Sequence, residues 1–218
     1  MNMPSEESYR RYVAALIAGD RHACRTELEA WLESGIDVRS LYEELFRRSL
    51  YAVGTLWERS RISVATEHLA TAITESLLNL VYPRLFNRTP AGRSAVVACT
   101  VNEYHQIGGK MVADIFELHG WRGYFLGPDV PKKDLLALIA EKRPDAVSLS
   151  LTLFYNLTAL LETARAIRAA FPSLPVLVGG QGFRHGGRER AEQIPGVRHI
   201  ASLADLEAWI ESEWPHAC

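Results

Sequence analysis

Apolar positions recur at helical spacing through the first 86 residues and then change rhythm. Arg10 to Ile17 forms a short amphipathic segment that ends at Gly19. Asp20 stands as an N-cap for a second helix reaching Glu33, which Gly35 stops. Asp37 caps a third, with Leu41, Leu45, Leu50, Val53, Leu56 and Trp57 close to helical spacing. Ser63 caps a fourth, running from Val64 towards Phe86, with Leu69, Ile73, Leu77, Leu80 and Val81 expected to face inward. Four helices with short connections predict an antiparallel four-helix bundle.

Asn87 to Arg93 contains Pro90 and Gly92, carries no periodicity and reads as a linker. Beyond it, short apolar runs alternate with helical patterns. Strands are expected over Ala95–Thr100, Gly123–Leu126, Ala146–Leu149, Val176–Val178 and His199–Ala201. Helices are expected near His105–His119, Lys132–Glu141, Leu157–Phe171, Arg188–Gln193 and Leu203–Trp214. Such alternation implies an α/β domain with a parallel sheet covered on both faces. Five units fit a flavodoxin-like (Rossmann-like) sheet in the order 2-1-3-4-5, whose ligand crevice lies outside the carboxyl ends of strands 1 and 3. The expected organisation is therefore a helical bundle over 1–86, a linker over 87–93 and an α/β domain over 94–218.

Composition narrows the class without choosing a function. Hydrophobic residues make up 48% and charged residues 23% of the chain, and the formal net charge is -2. That balance suits an ordinary globular protein and gives no reason to expect a nucleic-acid surface. Cys24, Cys99 and Cys218 are too scattered for a disulfide framework or a zinc site, and their usage suits a reducing cytoplasm. Neither a signal core near the N-terminus nor a membrane-length apolar run is present in the sequence.

Candidate chemistry gathers on three loops at the expected carboxyl edge of the sheet. The first, Glu103-Tyr104-His105-Gln106-Ile107-Gly108, follows strand 1. An imidazole there can coordinate a transition metal through one ring nitrogen, while a carboxylate on the other nitrogen fixes its tautomer and raises its basicity. Glu103 is the natural candidate for that carboxylate. Gly108 and Gly109 leave room for a bulky ligand near the backbone. Taken alone, His105 reads first as a surface histidine at a helix start. The second loop ends strand 3 with Ser150 and Thr152, whose hydroxyls either bond a ligand or satisfy nearby backbone. The third, Gly179-Gly180-Gln181-Gly182, allows either close approach by a ligand or simply a tight turn.

The three loops, in this order, resemble the cobalamin-binding domain of methionine synthase, corrinoid methyl carriers, B12 mutases and B12 photoreceptors. That family carries Asp-x-His-x-x-Gly, then Ser-x-Leu, then Gly-Gly. Here His105, Gly108, Ser150, Gly179 and Gly180 match. Glu103 replaces the aspartate, and Thr152 stands where leucine is usual. The resemblance covers roughly residues 94 to 214 and implies that His105 is the ligand below cobalt, with the cofactor tail entering the sheet. The N-terminal half resembles the helical cap of CarH-type light-sensing B12 regulators, in which a tryptophan is followed after nine residues by Glu-His. Trp57 and Glu67-His68 keep that spacing. They lie about five residues either side of Ile62 in the expected turn, and so sit at similar height on adjacent helices at ~1.5 Å per residue. By resemblance they bracket an adenosyl group. Glu58 occupies the position that in CarH-type proteins supplies a second histidine ligand. Leu126-Gly127-Pro128-Asp129-Val130-Pro131 also looks like that family.

The resemblance implies a cytoplasmic, non-enzymatic B12-dependent light sensor or regulator. Adenosylcobalamin is the expected cofactor, with methylcobalamin and hydroxocobalamin as alternatives. CarH-type regulators carry a helix-turn-helix domain before the bundle. This chain starts a few residues before its first helix, so it is expected to act through a protein partner such as a transcriptional regulator, as AerR-type antirepressors do, and a homo-oligomer is an open possibility. The other class is a methyl-carrier subunit of a corrinoid methyltransferase system. A plain flavodoxin-like domain with an unrelated ligand ranks behind both.

Overall fold

The computed structural model describes residues 5–86 and 89–214 of the 218-residue chain. The chain divides into two compact units, Met1–Leu85 and Phe86–Cys218. Asn87 and Arg88 of the expected linker, and His216 and Cys218, lie outside the described residues.

In the first unit, α1 (Glu6–Ala18) starts where the Ser5 hydroxyl accepts the Ser8 N–H at 3.2 Å and ends at Gly19, which adopts φ 73°. Asp20 caps α2 (Arg21–Glu33) by accepting from Ala23, and Asp37 caps α3 (Val38–Leu41) by accepting from Ser40. A π-helical stretch, Tyr42–Arg47, carries the chain on into α4 (Arg48–Glu58). Ser63 caps α5 (Val64–Val81), which passes into a short 3-10 turn at Tyr82–Arg84. Each such side-chain cap is worth ~1 kcal/mol. Tyr12, Leu16, Leu28, Trp31, Leu41, Tyr42, Leu45 and Phe46 are buried and form the interior of this unit.

One expectation is corrected on α5. Its inward face is Ala70, Ile73, Thr74, Leu77, Leu78 and Val81, whereas Leu69 is 40% exposed. The stripe passes through Ala70, three residues before Ile73, and Leu69 lies at its margin against the α1–α2 turn. A Cβ built on Gly19 would come 2.6 Å from Leu69 Cδ2, so the glycine both turns the chain and makes room for that side chain.

The second unit alternates strand and helix: β1 (Ser94–Cys99), α6 (Ile107–Leu118), β2 (Arg122–Phe125), α7 (Lys132–Lys142), β3 (Ala146–Ser150), α8 (Leu157–Ala170), β4 (Val176–Gly179), α9 (Arg188–Glu192), β5 (Val197–Ile200) and α10 (Leu203–Glu213). The strands form one parallel sheet in the order β2-β1-β3-β4-β5. The flavodoxin-like arrangement expected from periodicity is the one observed. Val96, Ala98, Val147, Leu149, Val176 and Val178 pack on one face with the apolar sides of α7, α8 and α9. On the other face α6 lies against β1 and β2, and α10 lies beside α6 and β5. Near-complete burial of β1 and β3 explains their unbroken apolar runs.

Register then places the three loops. Cys99 pairs with Ser150, Ser150 with Gly179, and Gly179 with Ile200. The loops after β1, β3 and β4 therefore leave the sheet from one level row at its carboxyl edge, where open α/β sheets bind ligands.

Candidate functional site

Glu103 is the anchor of the first loop. Its carboxylate is fully buried, and burial alone pushes its pKa up. Hydrogen bonds from the His105 ring and from the N–H groups of Leu153, Thr152 and His105 outweigh burial and hold it below the usual carboxylate range. Oε1 lies 2.7 Å from Nδ1 of His105 and accepts the His105 N–H at 3.2 Å. Oε2 accepts from Thr152 and Leu153, both at 2.9 Å. An ionised carboxylate is acceptor-only, so Nδ1 carries the proton in this pairing. Coordination of a metal by the ring therefore falls to Nε2, and the His105 side chain is 41% exposed.

Further contacts fix the loop. Asn102 N–H donates to Asp129 Oδ1 at 2.8 Å, Asp129 N–H donates to the Glu103 carbonyl at 3.1 Å, and Tyr104 O–H donates to Asp129 Oδ2 at 3.3 Å. The buried Asn156 donates its amide to the Asn102 carbonyl at 3.0 Å. Cys99 Sγ lies 3.6 Å from the His105 carbonyl. Burial first, and the Glu103 charge second, push its thiol up to about 12. Cys99 is thus a buried, neutral thiol at neutral pH.

The glycines divide by what surrounds them. Gly108 is exposed, and a Cβ there would meet only Ser150 Oγ, at 3.8 Å. Gly109 faces the sheet, where a Cβ would press on Phe125 at 3.1 Å and Cys99 at 3.5 Å. Gly180, at φ 114°, would place a Cβ 2.2 Å from the Leu151 carbonyl oxygen. Gly182 would collide with the Leu151 side chain, and Gly179 with the Ile200 carbonyl. Gln181 opens the 3-10 turn Gln181–His185 and is half-buried. The third loop is therefore shaped by the second, with Leu151 filling the space its glycines leave. Ser150 is buried at the end of β3, and Thr152 is half-buried beside Glu103.

The structure thus brings together Glu103, His105, Gly108, Ser150 and Thr152, with Gly179 to Gly182 alongside. Sequence reasoning missed Asn102, Asn156, the bonds that Asp129 makes to the first loop, and the exposed aromatics Tyr104, Phe154 and Tyr155 on the same two loops. Aromatic side chains in loops were the available signal for Tyr104, Phe154 and Tyr155.

In the helical unit, Trp57 is the penultimate residue of α4 and is 42% exposed. Glu67 lies near the start of α5, its Oε2 2.7 Å from Nδ1 of His68 and its Oε1 accepting from the Thr71 hydroxyl at 3.0 Å. The His68 side chain is 74% exposed. Glu58 ends α4 and is exposed.

The donor set suits a metal that brings most of its own ligands. Among the described residues, no three His, Cys, Asp or Glu side chains gather to hold a bare ion. One imidazole is instead oriented by a buried carboxylate beside an open glycine. The Thr100 hydroxyl, at the end of β1, is buried without a hydrogen-bond partner. A corrinoid cobalt, already held by four ring nitrogens, fits that arrangement.

Comparison with known proteins agrees. The family described as B12 binding domain matches residues 93–202, and a second family of the same description matches residues 9–82. The chain is 40% identical over 129 residues to the HTH-type transcriptional repressor CarA of Myxococcus xanthus, covering 57% of this chain and 43% of that protein. It is 31% identical over 185 residues to the HTH-type transcriptional repressor CarH of the same organism, covering 83% of this chain and 60% of that protein. The chain therefore spans about half the length of these two curated relatives. The solved structure of the Methanosarcina barkeri monomethylamine corrinoid protein shares the fold, with TM-score 0.83 and 13% identity over 97% of this chain and all of that one.

Proposed function

This chain belongs to the B12 binding domain family, and from that premise we propose that it is a cobalamin-dependent light-responsive regulator that signals through a protein partner. Independently of light and partner, the chain is a cobalamin-binding protein similar in sequence to the CarA and CarH repressors and to a trimethylamine corrinoid protein.

The observation that carries cobalamin binding is the Glu103–His105 pair, poised at the carboxyl edge of the sheet with Nδ1 committed and Nε2 on the exposed side chain. His105 would hold cobalt from below. Gly108 and Ser150 would admit the nucleotide tail, and Thr152 with Gly179, Gly180, Gln181 and Gly182 would line its path. By the resemblance to CarH-type caps, Trp57, Glu67 and His68 would be the residues that meet the upper axial group. When bound, adenosylcobalamin supplies a cobalt–carbon bond that visible light cleaves.

The chain's own residues account for the coupling. Trp57 presents a large apolar surface at a helix end, and Glu67 is fixed in one orientation by its bonds to His68 and Thr71. An occupant that contacts this set stabilises one arrangement of the helices, and its departure removes the preference. That equilibrium would be read by a transcriptional regulator. The relation to two repressors supports this choice, and so does a contact set larger than a methyl group needs.

Purified protein incubated with adenosylcobalamin in the dark should remain red through a desalting column. Green illumination should then change its spectrum differently from that of the free cofactor. Retention of the cofactor with a light response identical to the free compound would instead favour a methyl-carrier subunit of a corrinoid methyltransferase.

A further inference from the structure

We propose that Asp129, on the loop after β2, is a positioning residue for His105, which it does not touch. It holds the three residues before His105 in the conformation that presents the imidazole. The proposal rests on the reading of His105 as the lower cobalt ligand.

Asp129 contacts Asn102, Glu103 and Tyr104 in succession. Its Oδ1 accepts the Asn102 N–H at 2.8 Å, its N–H donates to the Glu103 carbonyl at 3.1 Å, and its Oδ2 accepts the Tyr104 O–H at 3.3 Å. Asn102 and Asp129 both adopt left-handed backbone, at φ 63° and φ 48°. Neither is glycine, so both conformations carry a cost that must be offset by what they hold. Two strained residues from different loops, bonded to each other, point to a shape selected for what it presents. What it presents is Glu103, whose side chain orients His105 at 2.7 Å.

The second side of the loop is already fixed. Asn156 donates to the Asn102 carbonyl at 3.0 Å, and the N–H groups of Thr152 and Leu153 grip Glu103 Oε2. Asp129 supplies the opposing side from the β2–α7 connection. Without its carboxylate, Asn102 would relax out of the left-handed region and Tyr104 would swing free. Glu103 and His105 would no longer be held at one separation. Partners beyond the ligand itself usually change metal affinity by ~10–100-fold, and one further step removed should sit near the lower end.

The test compares wild type, Asp129→Ala and Asp129→Asn. Asparagine keeps an oxygen for the Asn102 N–H and can donate to the Tyr104 oxygen, so it should behave as wild type. The first readout uses no cofactor: long-range proton–nitrogen NMR on the 15N-histidine-labelled apo-protein reports the tautomer of His105. Wild type and Asp129→Asn should show one tautomer with Nδ1 protonated, and Asp129→Ala an averaged signal. The second readout is hydroxocobalamin affinity by equilibrium dialysis, expected to fall roughly tenfold in Asp129→Ala only. A sharp, wild-type His105 signal in Asp129→Ala overturns the proposal, whatever happens to its thermal stability. Loss of the single tautomer in Asp129→Ala with unchanged hydroxocobalamin affinity would leave the positioning role standing and overturn His105 as the cobalt ligand.

Discussion

Glu103 and Thr152 lie 49 residues apart in the chain and are joined by a 2.9 Å hydrogen bond from the Thr152 N–H to the buried Oε2. The same carboxylate holds His105. The loop after β1 and the loop after β3 are thereby tied through one carboxylate, which bonds the imidazole on one side and the Thr152 and Leu153 N–H groups on the other.

Glu103→Gln tests that coupling. The amide oxygen can accept the Thr152 and Leu153 N–H groups, leaving the amide nitrogen to face His105. The ring would then accept at Nδ1 and carry its proton on Nε2, the nitrogen needed for cobalt. Denaturant unfolding should show a loss of about 1–3 kcal/mol. Bound hydroxocobalamin should lose the spectral features of imidazole ligation.

Two glycines should respond in opposite ways. Gly108→Ala lies in the first turn of α6 with space around it, so the substitution should raise stability by ~0.5–1 kcal/mol. If the cofactor tail passes there, retention of cobalamin on a desalting column should fall at the same time. Gly180→Ala must place a Cβ against the Leu151 carbonyl at a backbone conformation that side chains avoid. It should cost about 3 kcal/mol or more in thermal unfolding, with or without cofactor.

Fold and site differ in how far the sequence alone reveals them. Asp20, Asp37 and Ser63 announce their helices because capping is local chemistry. The parallel sheet follows from the alternation of strands with helices, and five such units fit the order observed. Glu103 and His105 were legible as a pair because they stand two residues apart on one loop, within reach of each other's side chains. The grip of Thr152 and Leu153 on Glu103 was not, because backbone N–H groups carry no residue label. The Asn102–Asp129 bond was also hidden, since it depends on the β1–β2 register. Leu69 was misplaced because residues i−3 and i−4 from Ile73 both border the inward face, and only packing chooses between them.

Acid sensitivity should appear in the helical unit through Glu27. The hydrogen bond from Arg11 is the main cause that holds its carboxyl below the ordinary value, with Ser8 also donating at 2.7 Å. Ser8 in turn accepts from the buried Trp31 indole at 2.8 Å. A depressed folded pKa contributes stability above the unfolded value, ~4.3 for glutamate, and loses it as pH falls through the folded value. Tryptophan fluorescence during denaturation should therefore show stability declining below about pH 4 in wild type. Glu27→Gln should be less stable at neutral pH and show a flatter decline.

Trp57→Ala separates the upper contact set from the fold. The side chain is substantially exposed, so unfolding should shift by only about 0.5 kcal/mol. Competition binding should nevertheless lose the preference for adenosylcobalamin over methylcobalamin. An undiminished preference would remove the reason for assigning Trp57 to the adenosyl group.

The decisive experiment is electron paramagnetic resonance of protein-bound cob(II)alamin, comparing natural-abundance protein with protein carrying 15N-histidine. If His105 Nε2 binds cobalt, the superhyperfine pattern should change from three lines to two on labelling, and His105→Ala should abolish the dependence on the label. A three-line pattern indifferent to histidine labelling would mean that the cofactor's own base remains on the metal, and would contradict His105 as its ligand.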